Sequence, residues 1–466
     1  MTVRPMAHQT PIACIILAAG KGTRMKSDLP KGLHAVCGLP MVEYVGRAAR
    51  GAGVRRPIIV IGHRGDLLRA SLGEQHYAYT YQQEQMGTGH AALMARDLLQ
   101  SHKGPVLVLP GDTPLLTSDA LQAMISHHNN AKSAATLATC RVDNPFGYGR
   151  VVRDSSGNVA QVVEEKDATP DQRNIREINT SIYCFDSELL FEVLPKLGNA
   201  NAQGEYYLTD AVSAIYDKGA QTETVVFEDE SLLIGVNDRW QLAEAASMMR
   251  RRILRRHALN GVTIEDPNST HIGADVDIGV DTTILGMTIL EGATKIGSGC
   301  IVGPMTRVTD SEIGDECHVL MSHLNLAVMQ EGSRCGPYAN LRPGAIIGER
   351  AKIGNFVEVK NSTLGSNASV SHLTYIGDAT VGDGVNIGAG TITCNYDGKK
   401  KHRTVIGDGT FVGSNSTLVA PVTIGNNAFV AAGSVITGDI PEDAMGIGRS
   451  KQEVKEGWAK RWRERK

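Results

Sequence analysis

Aromatic side chains and net charge are what this sequence has least of. Phe, Trp and Tyr make up 5% of its 466 residues, whereas glycine occurs 51 times. Few aromatics and many glycines suit tight, repeated turns better than a large aromatic core. The formal net charge is -3, which gives no sign of the basic surface that nucleic-acid binding requires.

Long apolar runs and paired cysteines are also missing. The apolar run 12–19 is too short to cross a membrane, which takes about 20 residues. The N-terminal MTVRPMAHQT does not have the composition of a signal peptide. The eight cysteines are scattered, without a CxxC pair or a zinc-ligand spacing. We therefore expect a soluble cytoplasmic protein with reduced thiols and with neither a membrane nor a nucleic-acid partner.

Hydrophobic patterning predicts a sheet covered by helices in the first half of the chain. Apolar runs that predict strands alternate with amphipathic runs that predict helices, the strands at 12–19, 57–61 and 106–109 and the helices at 41–52, 65–72 and 118–128. This alternation is typical of a mostly parallel sheet. Such folds bind ligands beyond the carboxyl ends of their strands.

A long helix is predicted next, over residues 237–257. Its apolar stripe consists of Trp240, Leu242, Ala246, Met249, Ile253 and Leu254. Five arginines crowd its last turns, which suits the helix dipole better than a nucleic-acid patch. We interpret this helix as a linker, with domains at 1–239 and 261–466 and the linker at 240–260.

Aliphatic residues then recur every six positions. They are Ile272, Ile278, Ile284, Leu290, Ile296, Val302 and Val308, then Leu341, Ile347, Ile353 and Val359, then Val381, Ile387, Ile424, Val430 and Ile436. A repeat of fixed short period predicts a solenoid. Six residues with one inward aliphatic fit a β-helix of short strands, with glycines at its turns.

The loop LAAGKGTRM, residues 17–25, follows the first predicted strand. It matches neither G-x-G-x-x-G nor the P-loop pattern. Gly20 and Gly22 allow backbone N–H groups to approach an anion, while Lys21 and Arg24 add positive charge. Lys31 is a further candidate for reaching phosphate. The alternative is a glycine-rich turn with surface lysines, but the preceding strand and the nearby cations favour a phosphate site.

Two polar residues are candidate magnesium ligands. Asp112 comes directly after a buried strand, where a carboxylate can hold magnesium between phosphates or can cap a turn. Asn237 can be a second ligand or the N-cap of the linker helix, and by itself the cap is the favoured interpretation. The loops 85–91, 144–150 and 162–168 are open to function but resemble ordinary turns.

His372 and a polar insertion interrupt the six-residue rhythm. Acyl transfer to an amine needs a base, and histidine suits that role near neutral pH. Spacing alone does not select His372 among 14 histidines. The insertion at 391–403 folds over a ligand or is disordered. No nucleophile pattern of the Ser-His-Asp or Cys-His type is legible, which favours direct transfer over a covalent intermediate.

Ten motifs, taken together and in order, resemble one family. They are LAAGKGTRM, LPGDTPLL, EINTSIY, NAQGEYYLTD, GVNDR, LRPGA, IGNFVEVKNS, HLTYIGDA, NIGAGTITCNYDG and APVTIG. The family is the bacterial bifunctional N-acetylglucosamine-1-phosphate uridylyltransferase and glucosamine-1-phosphate N-acetyltransferase. The resemblance implies a Rossmann-like α/β nucleotidyltransferase domain, a linker helix and a left-handed parallel β-helix. It also implies a homotrimer, Mg²⁺, and UTP and acetyl-CoA as co-substrates.

For uridylyl transfer, the resemblance implies that both sugar phosphate and UTP are held in the first domain. Lys31 and Arg24 would neutralise the phosphates, and Asp112 and Asn237 would hold Mg²⁺. Gly32 stands where the family has an aliphatic residue. The matching uridine-side and sugar-side positions are Leu17, Ala18, Ala19, Gly20, Gln82, Gly87, Thr88, Gly149, Glu164, Asn179 and Asn237.

For acetyl transfer, the resemblance implies that His372 is the general base. Asn395 and Tyr396 match the loop over the sites, and Ser414 or a backbone N–H would stabilise the oxyanion. The matching sugar-phosphate positions are Arg342, Lys360, Tyr375 and Asn386, and the matching acetyl-CoA positions are Ala389, Ser414, Ala432 and Arg449.

Two alternatives stand beside the bifunctional enzyme. One is a sugar nucleotidyltransferase whose β-helix is only structural, and the other is a scaffold of two inactive domains. A purely structural β-helix has no use for His372, Tyr375, Asn386 and the 395–396 insertion. Lys31, Asp112 and His372 also argue against an inactive scaffold.

Overall fold

The computed structural model describes residues 11–233 and 235–465. The chain divides into two compact units, one up to Met249 and one from Arg250 onwards. Our prediction about the N-terminal MTVRPMAHQT concerns residues outside the described part.

The first unit contains eleven described strands and seven described helices. The strands are β1 Ala13–Ala18, β2 Ala35–Val36, β3 Leu39–Pro40, β4 Ile58–Ile61, β5 Ala78–Tyr81, β6 Pro105–Pro110, β7 Ala135–Arg141, β8 Gly149–Arg153, β9 Val159–Val163, β10 Glu177–Asp186 and β11 Thr222–Phe227. The helices are α1 Met41–Gly51, α2 Gly65–Leu72, α3 Thr88–Leu93, α4 Ser118–Ala131, α5 Pro170–Arg173, α6 Ser187–Val193 and α7 Thr209–Asp217. Every predicted strand and helix of this half is present, with bounds shifted by at most three residues.

The main sheet has the order β11-β7-β10-β6-β1-β4-β5, with β8 paired to β10 and β9 paired to β8. β6, β1, β4 and β5 are parallel, and β10 runs antiparallel to β6 and β7. The chain leaves β1 towards β4 on one side and returns to β6 on the other. This reversal of strand order is where open α/β sheets bind their ligands.

The core of this unit lies on both faces of the sheet. Ile15 of β1 packs in one cluster with Val60 and Val108. Cys14 and Ile16, its neighbours in the strand, pack in the other. Successive side chains of one strand therefore pack into the core on both faces of the sheet. Both sets of side chains must be apolar, which is why the sequences of β1, β4 and β6 are continuous apolar runs.

The helix α8, Arg239–Leu259, begins and ends two residues later than predicted. Oδ1 of Asp238 accepts the backbone N–H groups of Trp240 and Gln241, each at 2.9 Å. The N-cap is therefore Asp238, and the interpretation of Asn237 as the cap is wrong. Trp240 is 73% exposed and does not belong to the buried stripe that we predicted, whereas Met249, Ile253 and Leu254 are buried.

The second unit is a parallel β-helix of very short strands. They are β12 Thr263–Ile264, β13 His271–Ile272, β14 Asp277–Ile278, β15 Thr283–Ile284, β16 Ile289–Glu291, β17 Lys295–Ile296, β18 Ile301–Val302, β19 Arg307–Thr309, β20 Glu312–Ile313, β21 His318–Val319, β22 His323–Asn325, β23 Val328–Met329, β24 Arg334–Cys335, β25 Asn340–Leu341, β26 Ile346–Ile347, β27 Lys352–Asn355, β28 Glu358–Lys360, β29 Thr363–Leu364, β30 Ser369–His372, β31 Tyr375–Gly377, β32 Ala379–Val381, β33 Asn386–Ile387, β34 Ile392–Cys394, β35 Thr404–Ile406, β36 Phe411–Val412, β37 Thr417–Val419, β38 Val422–Ile424, β39 Phe429–Val430, β40 Val435–Ile436 and β41 Met445–Gly446. A short helix, α9 Trp458–Glu464, follows.

Three strands make one coil of the β-helix. Each strand up to β37 pairs in parallel with the strand three places further along, as β15 does through Ile284 and Val302 with β18, and β39 pairs with β41. The result is three sheets, which begin at β12, β13 and β14. All sixteen aliphatic residues of the predicted six-residue repeat are buried. The repeat prediction is confirmed, because one inward side chain per strand is what fills the interior.

Candidate functional site

The first candidate site is a cavity of about 880 Å³ at the carboxyl ends of β1 and β6. The sheet order places these ends side by side at the point where strand order reverses. Twelve of the residues predicted for uridylyl transfer line it: Leu17, Ala18, Ala19, Gly20, Arg24, Lys31, Gln82, Gly87, Thr88, Asp112, Asn179 and Asn237.

A cluster of charged and amide groups forms the centre of this cavity. Nζ of Lys31 makes an ion pair with Asp112 and lies 3.0 Å from Oδ1 of Asn237. Nη2 of Arg24 donates to the same Oδ1 at 2.9 Å. The side chain of Asp112 therefore pairs with a lysine across the site instead of capping a turn. Oxygen atoms from two distant segments share one cation position.

The glycine loop packs tightly where it meets Lys31. Gly22 has φ +58°, and a Cβ atom there would lie 2.8 Å from Cβ of Lys31. Both the backbone conformation and the space require glycine at this position. Gly20, in contrast, has no atom within 4 Å of an added Cβ, so its backbone faces open space.

Gln82, Gly87 and Thr88 build one wall of the cavity. Nε2 of Gln82 donates to the carbonyl of Gly87 at 2.9 Å. Gly87 has φ +109°, and an added Cβ would lie 2.5 Å from the carbonyl oxygen of Tyr206. Oγ1 of Thr88 accepts the N–H of Leu208 at 3.0 Å. These contacts explain how the loop 85–91 and the motif NAQGEYYLTD meet in space.

The three predicted sugar-side residues are only partly brought together. Gly149 is the ladder partner of Asn179, which lines the cavity. Gly149 and Glu164 are not among the described residues of that lining. Glu164 lines a second cavity of about 520 Å³ and accepts a hydrogen bond from Thr209 at 3.3 Å. Burial raises the pKa of Glu164 above its usual value.

Two further residues of this cavity escaped the sequence reasoning. An added Cβ at Gly235 would lie 2.9 Å from Oδ1 of Asp112, so glycine gives Asp112 its room. Ser181 has φ +62° within an irregularity of β10 between Asn179 and Tyr183. The motif GVN contains the signal for Gly235. A bulge such as that at Ser181 leaves no periodic signal, although bulges recur next to active sites.

The second candidate site surrounds His372 at the end of β30. Nδ1 of His372 lies 2.6 Å from Oδ1 of Asn355, its ladder partner in β27. The carbonyl of His372 accepts the N–H of Gly390 at 3.3 Å, so the turn after β33 is next to it. Asn355 was not among the predicted site residues. It lies 17 residues before His372, and one coil of the repeat would have pointed to it.

Charged residues on the neighbouring sheet carry the predicted sugar-phosphate contacts. Nη1 of Arg342 donates to Glu358 at 2.8 Å, and Glu358 is the ladder partner of Tyr375. The side chain of Lys360 is within hydrogen-bond reach of the unpredicted Lys401, and this contact together with the like charge of Lys360 lowers the pKa of Lys401. Two adjacent ammonium groups favour an anion such as phosphate.

The insertion at 391–403 begins with β34 and continues as a hydrogen-bonded turn, in which Tyr396 and Lys401 form an antiparallel bridge. Asn395 is buried and donates to Asp378, which also accepts Nδ2 of Asn361 at 2.6 Å. Asp397 accepts the N–H groups of residues 399 and 400, each at 2.7 Å, and Nε2 of His402 at 2.6 Å. Tyr396 is 61% exposed at the tip.

The predicted acetyl-CoA residues lie along one edge of the β-helix. Ala389, Ser414 and Ala432 occupy equivalent turns of successive coils, each two residues after a strand. The carbonyl of Ala389 accepts the N–H of Asn415 at 2.7 Å, and that of Ser414 accepts the N–H of Gly433 at 2.8 Å. Arg449 follows β41 on the next coil. Asn386 is exposed on β33, in the ladder of the stacked Phe411 and Phe429 rings.

A sheet with a cation-lined cavity at its switch point, followed by a hexapeptide β-helix, defines a two-part transferase. Residues 13–246 match the nucleotidyl transferase family, and residues 403–438 match the bacterial transferase hexapeptide family (six repeats). No helix in the described part of the chain is long and apolar enough to span a membrane.

Curated relatives match almost the whole chain. The bifunctional protein GlmU of Carboxydothermus hydrogenoformans is 51% identical, covering 96% of this chain and 99% of the relative. GlmU proteins of Streptococcus suis and Acetivibrio thermocellus are 49% and 47% identical, each covering 96% of this chain and 97% of the relative. The chain belongs to the GlmU family. It is a bifunctional uridylyltransferase and acetyltransferase of UDP-N-acetylglucosamine synthesis, and its β-helix is more than a structural module.

Proposed function

We propose that the cavity at β1 and β6 transfers uridylate from UTP to N-acetylglucosamine-1-phosphate. The observation that carries this assignment is the convergence of Lys31, Arg24, Asp112 and Asn237. A phosphate oxygen of the sugar phosphate attacks the α-phosphorus of UTP. The bond between the α-phosphorus and the oxygen that bridges it to the β-phosphorus breaks, and pyrophosphate leaves. Lys31 and Arg24 neutralise the charge that builds up on the phosphates, which matters more here than a base.

Asp112 and Asn237 fit a magnesium ion. Their oxygens already share one cation position, which the ammonium group of Lys31 fills. No group of three or more His, Cys, Asp or Glu side chains among the described residues could hold a metal. Magnesium commonly takes one or two protein oxygens and fills its remaining positions with phosphate and water. When bound, it would neutralise phosphate charge.

In this proposal, acetyl transfer takes place on the β-helix, at the second candidate site around His372. His372 removes a proton from the amine of glucosamine-1-phosphate, the amine nitrogen attacks the thioester carbonyl of acetyl-CoA, and the thiolate of CoA leaves. Arg342 and Lys360 bind the sugar phosphate. Ser414 or a neighbouring backbone N–H stabilises the oxyanion. The order of reaction follows, because the acetylated sugar phosphate is the acceptor of the first unit.

The chain works as a cytoplasmic homotrimer in this proposal. Support comes from the hexapeptide β-helix and from stacked, exposed rings on it, such as Tyr338 and Phe356, whose centroids are 5.3 Å apart. Sedimentation equilibrium of the full chain tests this, and a monomer would contradict it.

A coupled assay tests the whole assignment. The full chain receives glucosamine-1-phosphate, acetyl-CoA, UTP and Mg²⁺, and chromatography follows the nucleotide sugar and pyrophosphate. UDP-N-acetylglucosamine should form, and omission of acetyl-CoA should prevent it. Addition of N-acetylglucosamine-1-phosphate should then restore the product. Formation of a nucleotide sugar without acetyl-CoA, or none at all, would refute the proposal.

A further inference from the structure

Arg150 is a fully buried arginine outside the described lining of the nucleotide cavity. It lies in β8, and only 1% of its surface is exposed. A buried charge costs free energy unless it is paired and hydrogen-bonded, so its surroundings need an explanation. Neither reaction assigned above uses this residue.

Glu165 pairs with Arg150 and ties it to the loop 144–149. Nη2 of Arg150 lies 2.7 Å from Oε2 of Glu165, and this oxygen also accepts the N–H of Gly147 at 3.1 Å. Nη1 of Arg150 donates to the carbonyl of Tyr148. The ion pair therefore holds both an N–H and a carbonyl of the same loop. Nη2 of Arg150 also donates to the carbonyl of Arg173 at 3.4 Å.

The loop that these contacts hold forms part of the cavity wall. Gly147 and Tyr148 both line the first candidate site. Gly147 has φ +88°, and the N–H of Tyr148 donates to the carbonyl of Pro145 at 3.2 Å. Gly147 and its neighbour Phe146 are exposed. The loop also has an internal hydrogen bond from the N–H of Phe146 to Oδ1 of Asn144 at 3.2 Å, and the buried ion pair adds contacts that tie it to β8.

The charge state of Glu165 suits this task. The Arg150 guanidinium holds the pKa of Glu165 below its usual value, and Arg173 adds to this at 3.9 Å. The carboxylate is therefore ionised in the neutral range, and hydrogen bonds to a charged acceptor are the strong ones.

The position of the pair in the sequence points to the sugar end of the cavity. Arg150 directly follows Gly149, and Glu165 directly follows Glu164. The resemblance implies a sugar-side role for both preceding residues, and Gly149 is the ladder partner of Asn179, which lines the cavity. Successive residues of a strand point to opposite faces of the sheet, so Gly149 and Arg150 lie on opposite faces of β8.

We infer that Arg150 and Glu165 are positioning residues for the sugar-phosphate acceptor of uridylyl transfer. Their ion pair fixes the loop 144–149 so that Gly147 and Tyr148 present a constant wall to the sugar. The inference rests on the proposed function of this cavity. Its distinguishing consequence is a selective effect: the pair governs the KM for N-acetylglucosamine-1-phosphate and not the KM for UTP.

The Glu165→Gln variant of the full chain tests this, because it removes the charge at constant size. We expect the KM for N-acetylglucosamine-1-phosphate to rise about tenfold, the size of effect that loss of one charged hydrogen bond produces. The KM for UTP and the rate of acetyl transfer should stay within about twofold. Glu192→Gln is the matched control, since Glu192 pairs with Lys196 and Lys218 at the surface. Exposed pairs of this kind contribute little.

Arg150→Lys provides a second test if Glu165→Gln folds poorly. Lysine keeps the charge but lacks the planar fork that reaches both Glu165 and the carbonyl of Tyr148. It should also raise the KM for the sugar phosphate selectively. The Arg150→Lys and Glu165→Gln double variant should be no worse than the worse single variant, because both act through one contact.

Two results would overturn the inference. One is an unchanged KM for the sugar phosphate in both single variants, and the other is an equal rise in the KM of both substrates with a lower melting temperature. The second result would give the pair a merely structural role. Absence of uridylyl transfer in the unmodified chain would instead refute the proposed function, so the two failures are distinguishable.

Discussion

Asn355 and His372 lie one coil apart in the β-helix, with Oδ1 of the amide 2.6 Å from Nδ1 of the imidazole. A neutral imidazole carries its proton on one nitrogen only. Donation from Nδ1–H to the amide oxygen therefore leaves the lone pair on Nε2. This contact selects the nitrogen that can accept a proton and fixes the plane of the ring.

Replacing Asn355 by alanine should slow acetyl transfer. The ring of His372 loses its orienting partner, and we expect kcat to fall about 10- to 100-fold, part of the 10²- to 10⁴-fold that a general base contributes. Uridylyl transfer by the same preparation is the internal control and should be unchanged. Steady-state kinetics of both reactions measure this.

Asn355→Asp is the conservative partner of that experiment. Its carboxylate still accepts from Nδ1–H, so most of the rate should return. The acid limb of the pH–rate profile should move to higher pH, because a nearby negative charge stabilises the imidazolium form. If Asn355→Ala and Asn355→Asp behave alike, the contact has no orienting role.

His372→Ala should abolish acetyl transfer and spare uridylyl transfer. Loss of the base should cost about 10²- to 10⁴-fold in kcat. His271→Ala is a suitable control, since His271 is exposed on β13, near the start of the β-helix, whereas His372 lies on β30. Normal acetylation by the His372 variant, measured as thiol release from acetyl-CoA, would show that another group is the base.

Much of the fold follows from the sequence because the signals are local. One inward aliphatic per six residues determines the β-helix, and continuous apolar runs mark β1, β4 and β6. The contacts of the sites are less local. Lys31 meets Asp112 and Asn237 across 81 and 206 residues, and no spacing rule links those positions. Their proximity follows only from the order of the strands.

The cap of α8 shows why one interpretation failed. Asn237 and Asp238 are both good N-cap residues, and the sequence cannot distinguish adjacent candidates. The cations Arg24 and Lys31 engage the amide of Asn237, which leaves Asp238 to cap the helix. A tertiary contact decided between two equal local preferences. Trp240 was misassigned to the buried stripe for a related reason, because it lies in the first turn of α8.

Asp112→Asn should disable uridylyl transfer. The amide cannot neutralise a cation, and we expect kcat to fall about 100-fold, as with other losses of charge stabilisation. Asn237→Ala should raise the Mg²⁺ concentration required for half-maximal rate. Asp119→Asn is the control, since Asp119 is exposed in the first turn of α4. An unchanged magnesium dependence in both site variants would contradict the assignment of these ligands.

Gly22→Ala should damage the same reaction through Lys31. Alanine is strained by about 1–2 kcal/mol at a left-handed position. Its Cβ would also lie 2.8 Å from Cβ of Lys31 and displace that side chain. We expect kcat/KM for UTP to fall at least tenfold with acetyl transfer unchanged. Gly198→Ala is the control, because no atom lies within 4 Å of an added Cβ there. Equal activity of the two variants would remove the argument for a tight loop.

His128 should make the first unit sensitive to acid. It is 5% exposed in α4, and Nδ1 lies 2.9 Å from Oγ1 of Thr136. Burial lowers its pKa from 6.5 to about 4, with His127 adding to this effect and Asp186 opposing it. The unfolded chain therefore binds more protons than the folded chain between these values. The contribution of His128 to the free energy of unfolding is fully present above pH 6.5. It is lost as the pH falls towards 4, and the loss amounts to at most about 3 kcal/mol.

His128→Gln separates this contribution from the rest of acid denaturation. Glutamine can keep a hydrogen bond to Thr136 but does not titrate, so the loss of stability between pH 6.5 and 4 should become smaller. Urea unfolding at a series of pH values measures the free energy of unfolding. His76→Gln serves as the control because His76 is exposed. Identical pH dependence for the two variants would mean that carboxylates, and not the buried imidazole, govern the acid limit of this unit.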